Sequence, residues 1–127
     1  MERPLERRRF IRVLVNAPLS FAAPGGLLGV GEMRTLSIRG LSFVAGEVIK
    51  TGSPIRVSFS VGKNMIFELA GTVRHRLGRG SWKHYGVFFS VRDYRDLKEH
   101  GRLNEFIMSA KREQDALAES RLRKRRT

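Results

Sequence analysis

The 127 residues contain no cysteine, which excludes disulfide staples and thiolate metal sites and gives no sign of an oxidising compartment. Histidine is scarce: only His75, His84 and His100 occur, and they are not at ligand spacings such as i, i+4 on one helix. The acids near the C-terminal third, Asp93, Asp96, Glu99 and Glu105, are interleaved with cations in the manner of a solvated helix surface. Nothing here assembles an activated nucleophile or a proton-transfer pair, so no enzyme is expected, and no metal or resident cofactor is called for. Long apolar runs are also missing. A secretory signal needs an apolar stretch of roughly 7–15 residues near the start and a membrane helix about 20, whereas this chain opens on charge and its apolar stretches are strand-sized. These absences predict a cytoplasmic protein without a membrane span.

Acid is the next deficit. Twelve Asp and Glu face 25 Lys and Arg, a formal charge of +13, and a balance of that sign favours polyanionic partners. The excess is concentrated: Arg3, Arg7, Arg8, Arg9 and Arg12 crowd the opening, and Arg121, Arg123, Lys124, Arg125 and Arg126 crowd the end. With 41% hydrophobic residues the chain has the composition of a folded protein, and its length suits one domain with one core.

The patterning is that of strands followed by a helix. Val13 to Ala17 is extended and apolar, with Pro18 marking an edge strand or its end; residues 22–29, holding Pro24, Gly25, Gly26 and Gly29, predict a turn. Gly31 to Leu36 and Leu41 to Val44 read as strands separated by a kink at Ser37-Ile38-Arg39-Gly40. Ile55 to Val61 alternates apolar and polar residues at period 2, as a strand with one buried face does. Gly62-Lys63-Asn64 turns the chain into Met65 to His75, a second turn carries Gly78 and Gly80, and Trp82 to Val91 is the last strand, with Trp82 and Phe10 as core or lid residues. From the N-cap candidate Asp93 the period changes: Leu103, Phe106, Ile107 and Ala110 share one helical face, and Gly101 is expected to interrupt it. The fold class is therefore mainly β: a small antiparallel barrel of about six strands closed by a C-terminal helix. Its divisions are an Arg-rich N-terminal switch segment (1–12), the barrel (13–92), a helical segment (93–120) and a basic tail (121–127).

Two short motifs flank the first strands. Arg8 and Arg12 stand four residues apart just ahead of the first strand, and Thr35-Leu36-Ser37-Ile38-Arg39-Gly40 lies at the next strand junction. In these residues the chain resembles the PilZ family, receptors for the bacterial second messenger cyclic di-GMP. Arg8 and Arg12 match the family's Arg-x-x-x-Arg, and Ser37 and Gly40 match the serine and glycine of its Asp/Asn-x-Ser-x-x-Gly. Gly71 to Arg74 and Tyr85 to Phe89 are similar to the family's closing strands. Thr35 departs from the pattern, a single hydroxyl where the family carries a carboxylate or amide. The resemblance covers about residues 6 to 110. It implies a barrel that binds cyclic di-GMP through Arg8, Arg12, Thr35, Ser37 and Gly40, with Arg7, Arg9 and Arg39 as secondary contacts, that orders its arginine segment on binding, and that signals through a protein partner. The residue types suit that ligand. An arginine fork meets guanine O6 and N7 together, worth roughly 1–3 kcal/mol of discrimination in DNA, and guanidinium planes also stack on bases and bridge phosphates.

Two other readings stay open on the residues alone. One is a PilZ-like module without ligand that acts by protein interaction, which Thr35 favours. The other is a small-barrel nucleic-acid binder, which the charge suits; in either case the basic tail is a candidate for weak nucleic-acid contact.

Overall fold

The computed structural model describes residues 11–78, 80–91 and 94–126. Six strands close into an antiparallel barrel: β1 (Val13–Ala23), β2 (Leu27–Leu36), β3 (Gly40–Ala45), β4 (Pro54–Val61), β5 (Met65–Leu77) and β6 (Lys83–Phe89), in the order β1-β2-β3-β6-β5-β4 with β4 returning to β1. A single helix, α1 (Tyr94–Arg126), follows. The period-2 alternation in β4 is what the barrel wall requires: Ile55, Val57, Phe59 and Val61 point inward and are buried, while Arg56 and Ser60 face water. From β5 come Phe67, Leu69 and Val73, from β3 Leu41, Phe43 and Ala45, and from β6 Tyr85 and Val87. Tyr85 also carries a polar handle. Its hydroxyl donates to the Glu47 carbonyl at 2.6 Å and accepts from the Ile49 amide at 2.9 Å, pinning the β3–β4 connection across the core.

Glycine and asparagine fall where the described turns need a left-handed backbone. At the β4–β5 hairpin Gly62 and Asn64 both take positive φ, 58° and 60°, the region that glycine and asparagine enter most cheaply. The β1–β2 turn occupies only Pro24–Gly26, so Gly29, expected in that turn, lies inside β2. Pro18 does not end β1 either. The strand gains its second neighbour only at Leu19, so the proline stands where one flank is still unpaired, the local equivalent of an edge.

At the end where β1 begins and β4 turns into β5, α1 closes the barrel. Leu103 and Ile107 are fully buried, Phe106 and Ala110 pack beside them, and Phe106 meets the Phe67 ring at 6.5 Å between centroids. One turn further on, the Gln114 amide donates to the Leu14 carbonyl at 3.1 Å. Gly101 does not interrupt the helix. A mid-helix glycine costs about 1 kcal/mol against alanine, a cost that burial of Leu103 and Ile107 on the adjoining turn exceeds. The helix also continues past 120 to Arg126, so the basic residues 121–126 are helical. Asp93 lies outside the described residues. Asp96, expected on a solvated surface, is buried, one turn from His100. The His100 ring meets Phe89 edge-on at 5.6 Å, and its Nε2 has no hydrogen-bond partner. Burial pushes its pKa below the usual 6.5, opposed by the charges of Asp96 and Glu99. Trp82, expected in the core or a lid, is 62% exposed in the β5–β6 connection. Among the described residues no helix is long and apolar enough to cross a membrane.

Candidate functional site

The barrel wall is irregular along one line. The pairing register shifts between Leu14 and Ala17 on β1, between Met33 and Thr35 on β2, and between Val73 and His75 on β5, leaving Arg34 and Arg74 as extra residues in their ladders. Beside these bulges the paired residues form a single row across five strands: Leu14, Thr35, Ser42, Gly86 and His75. Bulges bend a strand and re-aim its side chains. Here they crease the wall just below the end where β1 begins, β2 turns into β3, and β6 finishes.

The row lies on the outer surface. Gly40 and Ser42 alternate with buried Leu41 and Phe43, and Gly86 and Phe88 with buried Tyr85 and Val87. Its centre is small and polar: the Thr35 and Ser42 hydroxyls hydrogen-bond at 2.6 Å, both half-buried. One hydrogen is used between them, so the pair retains a second donor and free lone pairs on both oxygens. Gly86 adds no bulk, and the His75 imidazole lies across it; a Cβ there would fall 1.9 Å from His75 Nε2.

Above the crease, residues 37–40 form a clamped turn. The Ser37 amide donates to the Gly40 carbonyl at 2.8 Å, the Ser37 hydroxyl donates to the same oxygen at 3.3 Å and accepts from the Arg39 amide at 3.2 Å, and the Phe89 amide donates to the Arg39 carbonyl at 2.8 Å. Ser37 is 7% exposed, so its hydroxyl serves first to hold the turn. Gly40 is required by packing rather than by backbone conformation: a Cβ would sit 2.0 Å from the Val87 carbonyl oxygen. The turn therefore presents exposed Arg39 at a fixed place on the wall. Arg12, also exposed, precedes Val13, which pairs with Leu36, so it emerges beside this turn. Arg8, Arg7, Arg9 and Phe10 lie outside the described residues.

Of the predicted site residues, the fold brings Arg12, Thr35, Ser37, Arg39 and Gly40 to one end of one wall. It adds Ser42, Arg74, His75 and Phe88, which motif reading missed. Period-2 alternation already places Gly40 with Ser42 and Gly86 with Phe88, each pair on one side of its strand. The missing information was that β3 pairs with β6. Residues 13–91 hold nine Lys and Arg against three Asp and Glu, so the barrel is net cationic before either terminus is counted. Among the described residues no group of His, Asp or Glu is placed to hold a metal ion.

A six-stranded closed antiparallel barrel, with a clamped Ser-x-x-Gly turn beside an arginine just ahead of the first strand, belongs to the class of small β-barrels. The particular family follows from sequence: the PilZ domain model matches residues 6–107, and the chain belongs to the PilZ family. No curated protein sequence matches it. Among solved structures it is similar to the PilZ domain of YcgR from Escherichia coli with c-di-GMP, at TM-score 0.71 and 14% identity over 89% of this chain and 98% of that one. It is also similar to the Bacillus subtilis inhibitor of motility MotI/DgrA, at 0.67 and 13% over 83% and 51%, and to the K. pneumonia MrkH–c-di-GMP complex, at 0.65 and 14% over 84% and 55%. The chain thus spans about half the length of the latter two and nearly all of the isolated YcgR domain.

Proposed function

We propose that the protein is a cyclic di-GMP receptor whose ligand lies on the creased outer wall, held by Arg8 and Arg12 and by the Thr35–Gly40 junction. The observation that carries this reading is the convergence of Arg12 with the clamped 37–40 turn and the Thr35–Ser42 hydroxyl pair at one end of a cationic wall. Membership of the PilZ family and the fold likeness to proteins solved with c-di-GMP support it. Arg8 and Arg12 supply forks for guanine acceptor edges and phosphates. Ser37 and Gly40 fix the turn, Arg39 flanks it, and Arg7 and Arg9 add cationic charge. The Thr35–Ser42 pair offers two neighbouring oxygens to guanine N–H donors in place of the family's Asp or Asn. Ligand held this way orders the Arg-x-x-x-Arg segment of residues 1–12 against the barrel, and the signal leaves through a protein partner. The basic end of α1, exposed at Arg121, is a further place for an acidic partner or nucleic acid to make weak contact.

Calorimetric titration of cyclic di-GMP into the protein and into an Arg8→Ala/Arg12→Ala variant tests the reading. Micromolar or tighter binding that the variant loses is the expected result; no binding by the intact protein overturns it. A second reading, a PilZ module that works without ligand, has one observation in its favour: Thr35 replaces an acid and its hydroxyl is already engaged with Ser42.

A further inference from the structure

An exposed aromatic ring flanked by a paired strand on each side asks for an explanation, because Phe gains much from burial. Phe88 is 43% exposed on the outer face of β6, directly paired with Gly40 on one side and Thr72 on the other. Paired residues of an antiparallel ladder project from the same side of the sheet, so Phe88 stands next to a position without a side chain, at the edge of the proposed ligand site. The Arg74 guanidinium lies over its ring, 5.3 Å from the centroid. Arg74 is the extra residue of the β5 bulge, and the bulge gives two outward side chains, Arg74 and His75, opposite the single residue Gly86.

Building on the receptor reading, we infer that Phe88 and Arg74 form a stacking platform for one purine base of the bound nucleotide. A planar cation on an aromatic face is a pre-assembled stack, since guanidinium and base are both flat and both pack on rings. Gly40 beside it carries no side chain, its Cβ position being taken by the Val87 carbonyl oxygen, so no neighbouring β3 side chain stands over the Phe88 ring at that pair. The base either adds to the stack on the guanidinium or takes its place on the ring; both arrangements need the aromatic face. Hydroxyls at Thr35 and Ser42 and the forks of Arg12 and Arg39 address the edges of a base, whereas this pair addresses its plane.

The test compares cyclic di-GMP binding by the wild-type protein and by Phe88→Ala, Phe88→Tyr and Arg74→Gln variants, with thermal melts to show that each folds. A second readout uses a cyclic dinucleotide with 2-aminopurine in place of one guanine, whose fluorescence is quenched by stacking. Phe88→Ala is expected to weaken binding by about tenfold to a hundredfold, the effect that removing a base–aromatic stack has, and to relieve the quenching. Phe88→Tyr keeps the ring and retains affinity to within about threefold, and Arg74→Gln falls between the two. Binding and quenching unchanged in Phe88→Ala overturn the platform while leaving the receptor intact. Absence of binding by the wild-type protein overturns the receptor reading itself, and the platform with it.

Discussion

The β4–β5 ladder and the wall that runs from β1 through β2, β3 and β6 to β5 are built from the same barrel but to different rules. Every residue of β4 from Pro54 to Val61 pairs in unbroken register with β5 from Thr72 back to Met65. The other wall shifts register three times and keeps small or polar residues, Thr35, Ser42 and Gly86, on its outer surface. Regular pairing maximises ladder hydrogen bonds and aligns Phe59 with Phe67 for the core. Irregular pairing sacrifices some of that order to aim Arg74 and His75 outward. A barrel of this size can carry both because the core is supplied from all six strands, whereas the outer face of one wall is available for recognition.

The sharpest way to break this division is to attack the regular side. Phe67→Ala removes a fully buried ring that touches Phe59 and Phe106 and is expected to cost about 3–5 kcal/mol in urea unfolding, with ligand affinity per folded molecule little changed. Gly40→Ala tests the seam between the two functions: its Cβ meets the Val87 carbonyl, and the forced shift of β3 against β6 should cost about 1–3 kcal/mol and weaken ligand binding together. Ser37→Ala removes the hydroxyl that accepts from the Arg39 amide, with an expected loss of about 1 kcal/mol and a looser Arg39, read as a lower melting temperature and a modest rise in Kd. Arg12→Ala leaves stability within about 0.5 kcal/mol, as exposed substitutions do, yet raises Kd by tenfold or more; unchanged affinity would remove Arg12 from the site.

The smallest effect belongs to pH. His100 is held neutral by burial, its folded pKa below the unfolded value near 6.5. The unfolded chain therefore binds more protons in that window, so the contribution to stability is complete above 6.5 and declines as pH falls from there toward the lowered folded pKa. Urea midpoints should drop across that interval, and His100→Phe, which cannot titrate, should flatten the decline.

Much of the barrel was legible because its determinants are local. Alternation marked β4, glycine and asparagine marked the β4–β5 turn, and the Leu103–Ala110 stripe marked the packed face of α1. Pro18 pointed correctly to an edge-like flank and wrongly to a strand end, since β1 runs on past it, and Gly101 misled because burial of Leu103 and Ile107 carries the helix across the glycine. Asp96 and Trp82 misled for a similar reason, since a polar residue beside His100 is buried and an aromatic one on a turn is not. In the candidate site, Arg12, Thr35, Ser37, Arg39 and Gly40 were legible as motif residues. Ser42, Arg74, His75 and Phe88 join them through strand pairing and bulge placement, which depend on contacts between segments far apart in the chain. The structural reason for Gly40, the Val87 carbonyl, was hidden for the same cause.

Closure of the barrel has a consequence for how this domain meets other molecules. Because β4 returns to β1, none of the six described strands is a sheet edge along its whole length, and on the β4 side of β1 before Leu19 Pro18 withholds an amide from any added strand, strand addition being the route by which exposed sheet edges capture extended peptides. Recognition is thereby directed to side chains: those of the outer wall, or those of the exposed distal turns of α1. The same closure guards against stray edge-to-edge pairing between copies, leaving this strand-rich chain free to keep one face irregular.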